Sequence, residues 1–417
     1  MVTRSSTTIL MLLLAGSALA SADNSLSLDE AVALAAAAAP QLIATRAALD
    51  AAKAQQISAG RLPDPELVAG VDNLPINTVD RFSLTRDFIT MRKLGLMQSI
   101  PNSHKRRSAR ELAAAQVGIA EADAVETRLA VARMVTEAWV GTYAAEWSVQ
   151  YLQPLRAELT LQAAATRAAV ASGRANAADA LTAQAAVVEL EDRLLASAQD
   201  ARAARAELIR WAGNAGERPL SAPPTFADLP APAAELLAST HHHASLLTFD
   251  AKIAAARSEV DVALAEKHPD WSTELTYAKR GPGYSDMTSL EFRMSLPLFS
   301  GERQDPKISA SRALLTQLTA ERQVELLMHA AETRTALATW ESARDRIALY
   351  ERERLPLARQ RSQLALAAFA AGGSDLRQTL ASHADEIELQ RSYAELLLTL
   401  GRSWAYLRYL QPEGVAP

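Results

Sequence analysis

The sequence contains no cysteine. That excludes disulfides, Cys-ligated metal and thiol catalysis, and it suits an oxidising compartment without proving one. Aromatic residues are scarce at 5%, although hydrophobic residues reach 49%. Alanine makes up the difference, and it favours closely packed helices over a large globular core. The chain lacks a basic excess: its formal charge is −5 and its pI about 5.9, which argues against a nucleic-acid partner. Catalytic signatures are missing too. There is no phosphate loop, no HExxH and no recognisable Ser/His/Asp set, so an enzyme is not expected and no cofactor is implied. No run approaches the ~20 apolar residues of a membrane-spanning helix.

What is present begins at the N-terminus. Arg4, the apolar "ILMLLLAG" (9–16) and "ALA" (18–20) form the pattern of a cleaved secretory signal over residues 1–22. Export follows, with a mature chain free of transmembrane helices.

The rest of the chain repeats its landmarks about 200 residues apart. "LPDPEL" (62–67) is echoed by "HPDWSTEL" (268–275), "YLQPLRAEL" (151–159) by "RERLPLARQ" (352–360), and "ASGRANAADALTAQ" (171–184) by "AAGGSDLRQTLASH" (370–383). "RWAG" (210–213) is echoed by "RSWAYL" (402–407). The order is kept each time. Two repeats are expected, 23–215 and 233–410, with a Pro/Ala-rich connector at 216–232 and a tail at 411–417.

Each half reads as helix, strand pair, very long helix, helix. Ser27 is a candidate N-cap with Glu30 as its capping-box partner, and Pro40 should break the first helix. Long helices are expected over about 103–171 and 305–371, each kinked or interrupted by Pro154 or Pro356. Shorter partners follow at about 175–211 and 375–409. A 103–171 helix would be roughly 100 Å long, and the shorter helices would have to stack end to end along it. A hollow cylinder of paired helices uses such lengths. Gly173 and Gly372 or Gly373 supply the tight turns between long and short helices.

The strands alternate strictly. In "MTSLEFRMSLPLFSG" (287–301), Leu290, Phe292, Met294 and Leu296 point one way, and Ser289, Glu291, Arg293 and Ser295 the other. "WSTELTYAK" (271–279) does the same, with Glu274 on its polar side. Strands are expected near 66–74, 92–100, 270–280 and 288–297, each close to the length of a tilted transmembrane strand. About four strands cannot close a barrel, and an open edge in lipid leaves backbone groups unpaired at several kcal/mol each. A membrane location therefore demands pooled strands, and three chains would supply 12. Glu274, Glu291 and Arg293 would then line the lumen. The competing reading is an amphipathic hairpin packed on a helix.

This ordered set resembles the outer membrane factor (TolC-like) family of tripartite efflux systems. The resemblance covers nearly all of the mature chain and rests on the element order and the paired turn motifs. It implies a mainly helical chain with a small β part. It implies a homotrimer in outer-membrane lipid, with a 12-stranded β-barrel on a long periplasmic α-helical barrel. The implied partners are a periplasmic adaptor (membrane fusion) protein and an inner-membrane pump of the resistance-nodulation-division type. The stretch 63–101 and the basic "HKRRSAR" (104–110) look like the branch paired with heavy-metal cation pumps. Export of drugs or other small solutes is the alternative, and a non-conducting periplasmic coiled-coil scaffold is a rival of another class. Relatives close the periplasmic tip with aspartates. Asp179 and Asp375 occupy that region, where the physical alternative is a helix N-terminal acid. The lipidated cysteine that many relatives carry has no counterpart.

Three further features carry weaker signals. His241, His242 and His243 could bind metal, but consecutive residues on a helix do not share a face. Met91, Met97, Met287 and Met294 could serve as thioether ligands, yet apolar filling suits Met294 better. Lys105, Arg106 and Arg107 begin a helix where the macrodipole disfavours cations.

Overall fold

The computed structural model describes residues 24–77, 79–371 and 375–412. The chain opens with α1 (Leu28–Ala38) and α2 (Pro40–Ser58). Ser27 caps α1, accepting the Glu30 amide at 3.2 Å. The Glu30 carboxylate takes a backbone hydrogen bond from Ser27, as the expected capping box requires, and also pairs with Arg218, 2.7 Å away. Pro40 has no N–H to give α1, and it starts α2 at a 44° bend.

Strands β1 (Glu66–Asp72) and β2 (Met91–Ile100) form the first hairpin. Then come α3 (Ser103–Ala171) and α4 (Ala177–Ala212). A short α5 (Ala233–Ala238) and α6 (Ala244–Ala265) lead to the hairpin of β3 (Trp271–Lys279) and β4 (Met287–Met294). The chain closes with α7 (Ser300–Leu349), α8 (Leu355–Ala370) and α9 (Leu376–Arg408). Two strands end earlier than their alternation suggests. Asn73 adopts a left-handed φ of 55° and turns β1, and past Met294 the Ser295 N–H still reaches the Asp270 carbonyl at 2.9 Å before Pro297, which has no N–H to give.

α3 holds 69 residues in one helix, roughly 100 Å at 1.5 Å per residue. Three shorter helices share its length. α2 lies against its start, where Lys53 approaches Glu121 at 3.8 Å. α1 lies against its middle. α4 covers the remainder, with Arg156 and Glu191 3.0 Å apart. In the other half α6 meets α7 through Lys307–Glu266 at 2.8 Å and Arg322–Asp250 at 2.6 Å. α9 meets α7 and α8 through Tyr406–Glu332 at 3.1 Å and Arg361–Asp385 at 3.4 Å.

The two prolines behave differently. α3 runs unbroken through Pro154, which corrects the expected interruption; Gln150, whose carbonyl loses its donor, is exposed to water. Near Pro356 the helix changes to a π-turn, Tyr350–Arg354. Fifteen positions separate Trp139 from Pro154, and sixteen separate Trp340 from Pro356. A single-turn π-bulge takes up one additional residue without ending a helix.

The core lies at mid-height, where the connector wraps the bundle. Leu26 pairs with Leu220 in a parallel bridge. Indoles hold this belt, those of Trp139 and Trp340 buried and that of Trp404 partly exposed. Trp139 donates to the Leu26 carbonyl at 3.1 Å, Trp340 to that of Phe226 at 2.8 Å, and Trp404 to that of Asp228 at 2.8 Å. The two halves meet nearby, where α9 passes α3 at Gly401. A Cβ on Gly401 would lie 2.5 Å and 2.8 Å from the two methyl carbons of Val140. Gly401→Ala should therefore cost about 1–3 kcal/mol by overpacking and lower the thermal midpoint read by circular dichroism. The Gly401→Ala/Val140→Ala pair should lose less than the two single changes summed.

Candidate functional site

One antiparallel sheet, in the order β1–β2–β3–β4, joins both hairpins. The β2–β3 pairing stitches distant parts of the chain, with Leu94 opposite Tyr277 and Leu96 opposite Leu275. Period-two alternation and this register sort the side chains onto two faces. One carries Leu67, Val71, Leu94, Leu96, Trp271, Leu275, Tyr277, Leu290, Phe292 and Met294. These are open: Leu67 is 70% exposed, Leu290 61% and Phe292 67%. The other carries Asp72, Lys93, Glu274, Thr276, Glu291 and Arg293, of which Glu274 is only 7% exposed. A water-soluble sheet hides its apolar face; here the apolar face is uncovered, while on the polar face Glu274 and Thr276 are buried and Glu291 and Arg293, on the edge strand, are open. β1 and β4 are the edges of the sheet, and every residue of β4 is exposed.

The polar face has internal electrostatic order. Glu274 stands directly opposite Glu291. Arg293 bridges this like-charge pair, reaching Glu274 at 2.9 Å and Glu291 at 2.9 Å. Thr276 donates to Glu274 at 3.2 Å, and Lys93 pairs with Asp72 at 3.1 Å. The register thus gathers Glu274, Glu291 and Arg293 into one cluster. Met91, Met97 and Met287 share this face, and Met97 sulfur lies 3.8 Å from Arg293 Nη1. Met294 stands in the apolar row.

At the foot of the sheet, Asp270 organises the turn into α3. Asn102 donates its backbone N–H to Asp270 at 2.9 Å and caps the helix by accepting from the Lys105 amide at 2.9 Å. Lys105 forms an ion pair with Asp270. A carboxylate therefore sits at the helix start, and it neutralises the first cation of "KRR". Sequence reasoning missed this junction and the indole belt. Both depend on contacts more than 100 positions apart, which no local pattern carries.

The α3–α4 turn is a Schellman motif. Gly173 has φ 72°, and the Arg174 amide returns to the Ala169 carbonyl at 2.8 Å. Asn176 caps α4, and half-buried Asp179 completes its capping box by accepting from the Asn176 amide at 3.4 Å. Exposed Asp375 caps α9, accepting from the Arg377 amide at 3.4 Å. Gly372 and Gly373 lie outside the described residues, as does the signal segment. Both aspartates thus have structural work at helix starts, in the same region of the fold.

The three histidines are not on one helix, contrary to the sequence-based picture. His241 and His242 close a 3-10 turn, Ser239–His242, and His243 is the extended residue before α6. His243 is 1% exposed and packs edge-on against His329 with ring centroids 5.4 Å apart. Neither of its ring nitrogens has a partner. Burial, with the neighbouring His329 and His242, pushes it down to about 4. Among the described residues no group of three or more His, Asp or Glu side chains is arranged to hold a metal ion. Because its folded pKa is depressed, the stabilisation is complete above the unfolded value, ~6.5, and is lost as pH falls towards 4. His243→Leu should flatten the fall of thermal midpoint between about pH 6.5 and pH 4, measured by circular dichroism melts across that range.

Scans against protein-family models and curated proteins return no match. Solved structures do match. A membrane protein from Pseudomonas aeruginosa superposes with TM-score 0.79 at 17% identity, covering 92% of this chain and 90% of its own. The outer membrane protein VceC from Vibrio cholerae gives 0.75 at 17%, covering 92% and 96%. CusC, whose structures concern transmembrane channel formation, gives 0.75 at 15%, covering 92% of each chain. The chain therefore has the fold of outer-membrane channel proteins.

Proposed function

We propose that this chain is one subunit of an outer-membrane efflux channel, built from two repeats of about 23–215 and 233–410. The observation that carries the reading is the sheet itself: apolar rows open, a charged cluster gathered round buried Glu274 on the other face, both edges unpaired. Such a sheet is unstable alone in lipid, because its edges leave backbone groups without partners. Three copies joined β4 to β1 close a 12-stranded barrel, an even count within the known range. The apolar rows then meet outer-membrane lipid. Glu274, Glu291 and Arg293 line a wet lumen. The helices continue the conduit into the periplasm, where an adaptor protein and an inner-membrane pump of the resistance-nodulation-division type would engage it.

The cargo we favour is heavy-metal cations. On the polar face Glu66, Asp72, Glu274 and Glu291 outnumber Lys93 and Arg293, and threefold repetition would multiply the acidic excess. Acidic rings favour cation entry. At the far end, rings of Asp179 and Asp375 would narrow the aperture.

Purified protein in planar bilayers tests both levels. Discrete conductance steps are expected. Asp179→Asn and Asp375→Asn keep a capping oxygen but remove charge, so they should raise conductance or weaken block by divalent cations. Unchanged conductance would remove the aspartates from the aperture and leave the channel standing. Silent bilayers from folded, inserted protein would contradict the channel itself, and selectivity for anions would contradict the cationic cargo.

A further inference from the structure

Two pairs of like charges stand directly opposite each other in the sheet. Such cross-strand pairs are unfavourable unless a countercharge is at hand. On the polar face Arg293 bridges Glu274 and Glu291, as described above. The second pair is Arg92 on β2 opposite Lys279 on β3. Parity puts both in the rows of Leu94, Leu96, Leu275 and Tyr277, on the apolar face. They lie at its loop end, away from the helices.

Compensation there is incomplete. Arg92 Nη2 donates to the Arg280 carbonyl at 3.2 Å, and its Nε–H is buried without a partner. Lys279 is exposed. Asp286 lies within electrostatic reach of both cations, but it already accepts the Tyr277 hydroxyl and the Arg280 backbone N–H. Arg280 adds a third cation, donating to the Phe88 carbonyl at 2.9 Å with its guanidinium 5.0 Å from the Tyr284 ring centre. Arg92 and Lys279 therefore share one carboxylate, with Arg280 next in the chain. On the opposite face at the same height, Lys93 has its own partner in Asp72.

Position supplies the rest. β3 has nine residues from Trp271 to Lys279. At about 3.3 Å each and a tilt near 40°, it rises roughly 20 Å, close to the height of an outward-facing apolar band. The cations thus fall at the boundary between hydrocarbon and headgroups, with Tyr277 and Tyr284 beside them as interfacial aromatics. Isolated lysines and arginines reach such boundaries by extending their stems. A directly opposed pair goes further, since an anion between its members relieves their repulsion. Phosphate offers several acceptor oxygens to guanidinium and ammonium groups at once.

We propose that Arg92, Lys279 and Arg280 form a phosphate-binding site on the lipid-facing surface of the sheet. Its ligand is the phosphorylated headgroup of an outer-leaflet lipid. The site rests on the reading that the apolar face meets lipid.

The test reconstitutes the full protein in phosphatidylethanolamine vesicles containing diphosphoryl lipid A. The lipid A that remains with each chain after detergent extraction and gel filtration is then counted by mass spectrometry. The Arg92→Gln/Lys279→Gln variant should retain about tenfold less than wild type. Lys93→Gln should retain as much as wild type. Fully dephosphorylated lipid A should be held equally poorly by wild type and the double variant. Equal retention of diphosphoryl lipid A by wild type and the double variant would overturn the site. So would equal retention of the dephosphorylated form by wild type, and so would displacement by millimolar inorganic phosphate, which would assign the site to the free ion. A chain that never enters the vesicles would instead defeat the channel reading, a distinct failure scored by flotation before any lipid is counted.

Discussion

Backbone N–H and C=O groups that face hydrocarbon must find protein partners, because no water is there to satisfy them. In the proposed channel the rest of the architecture depends on this constraint. One chain supplies two hairpins and joins them through β2 and β3, which satisfies the centre of the sheet and leaves β1 and β4 open. Side-chain alternation adds the second demand. Leu67, Leu290 and Phe292 are exposed while Glu274 is covered, an order that suits lipid outside and water inside. Neither demand is met within one chain in lipid, which is why the proposed channel requires several copies.

Charge is managed by place in this sheet. Where carboxylates face each other across strands, the chain supplies its own bridge in Arg293. At the foot, Asp270 gathers Asn102 and Lys105 and so ties the corner of one hairpin to the first turn of the longest helix. The helical part is held differently. Long surface ion pairs run between neighbouring helices, and each such exposed pair contributes at most about 1 kcal/mol. The heavier anchors are the indoles of Trp139 and Trp340, buried where the connector crosses the bundle. A belt fixed at mid-height leaves the two ends of the helices to separate tasks, sheet support at one and the helix turns at the other.

Much of this was legible in the sequence because it is local. Period-two alternation located all four strands, and it placed Glu274, Glu291 and Arg293 on one face. Ser27, Pro40 and Gly173 marked a cap, a break and a turn, each through its own backbone chemistry. The misses are those in which distant chain decides. Glu30 pairs with Arg218 as well as serving its capping box, a contact 188 positions along the chain. His243 left its helix because the segment before α6 is drawn into a buried contact with His329. Pro154 and Pro356 look equivalent, yet only the second sits beside a π-turn, and the residue count between each proline and its upstream tryptophan is the one trace of that difference. The functional parts divide similarly. Alternation exposes a charged row on one face, whereas Asp179 and Asp375 have helix-capping roles that fit any helical bundle.

The central claim is that the two faces of this sheet meet different solvents. With no native cysteine, single cysteines at successive positions from 287 to 294 can carry unique spin labels in lipid bilayers. Collision with oxygen reports hydrocarbon, and collision with a polar nickel chelate reports water. The account predicts a strict alternation: oxygen dominates at 290, 292 and 294, and the chelate at 289, 291 and 293. A pattern without alternation, or with the chelate dominant at both sets, would contradict it.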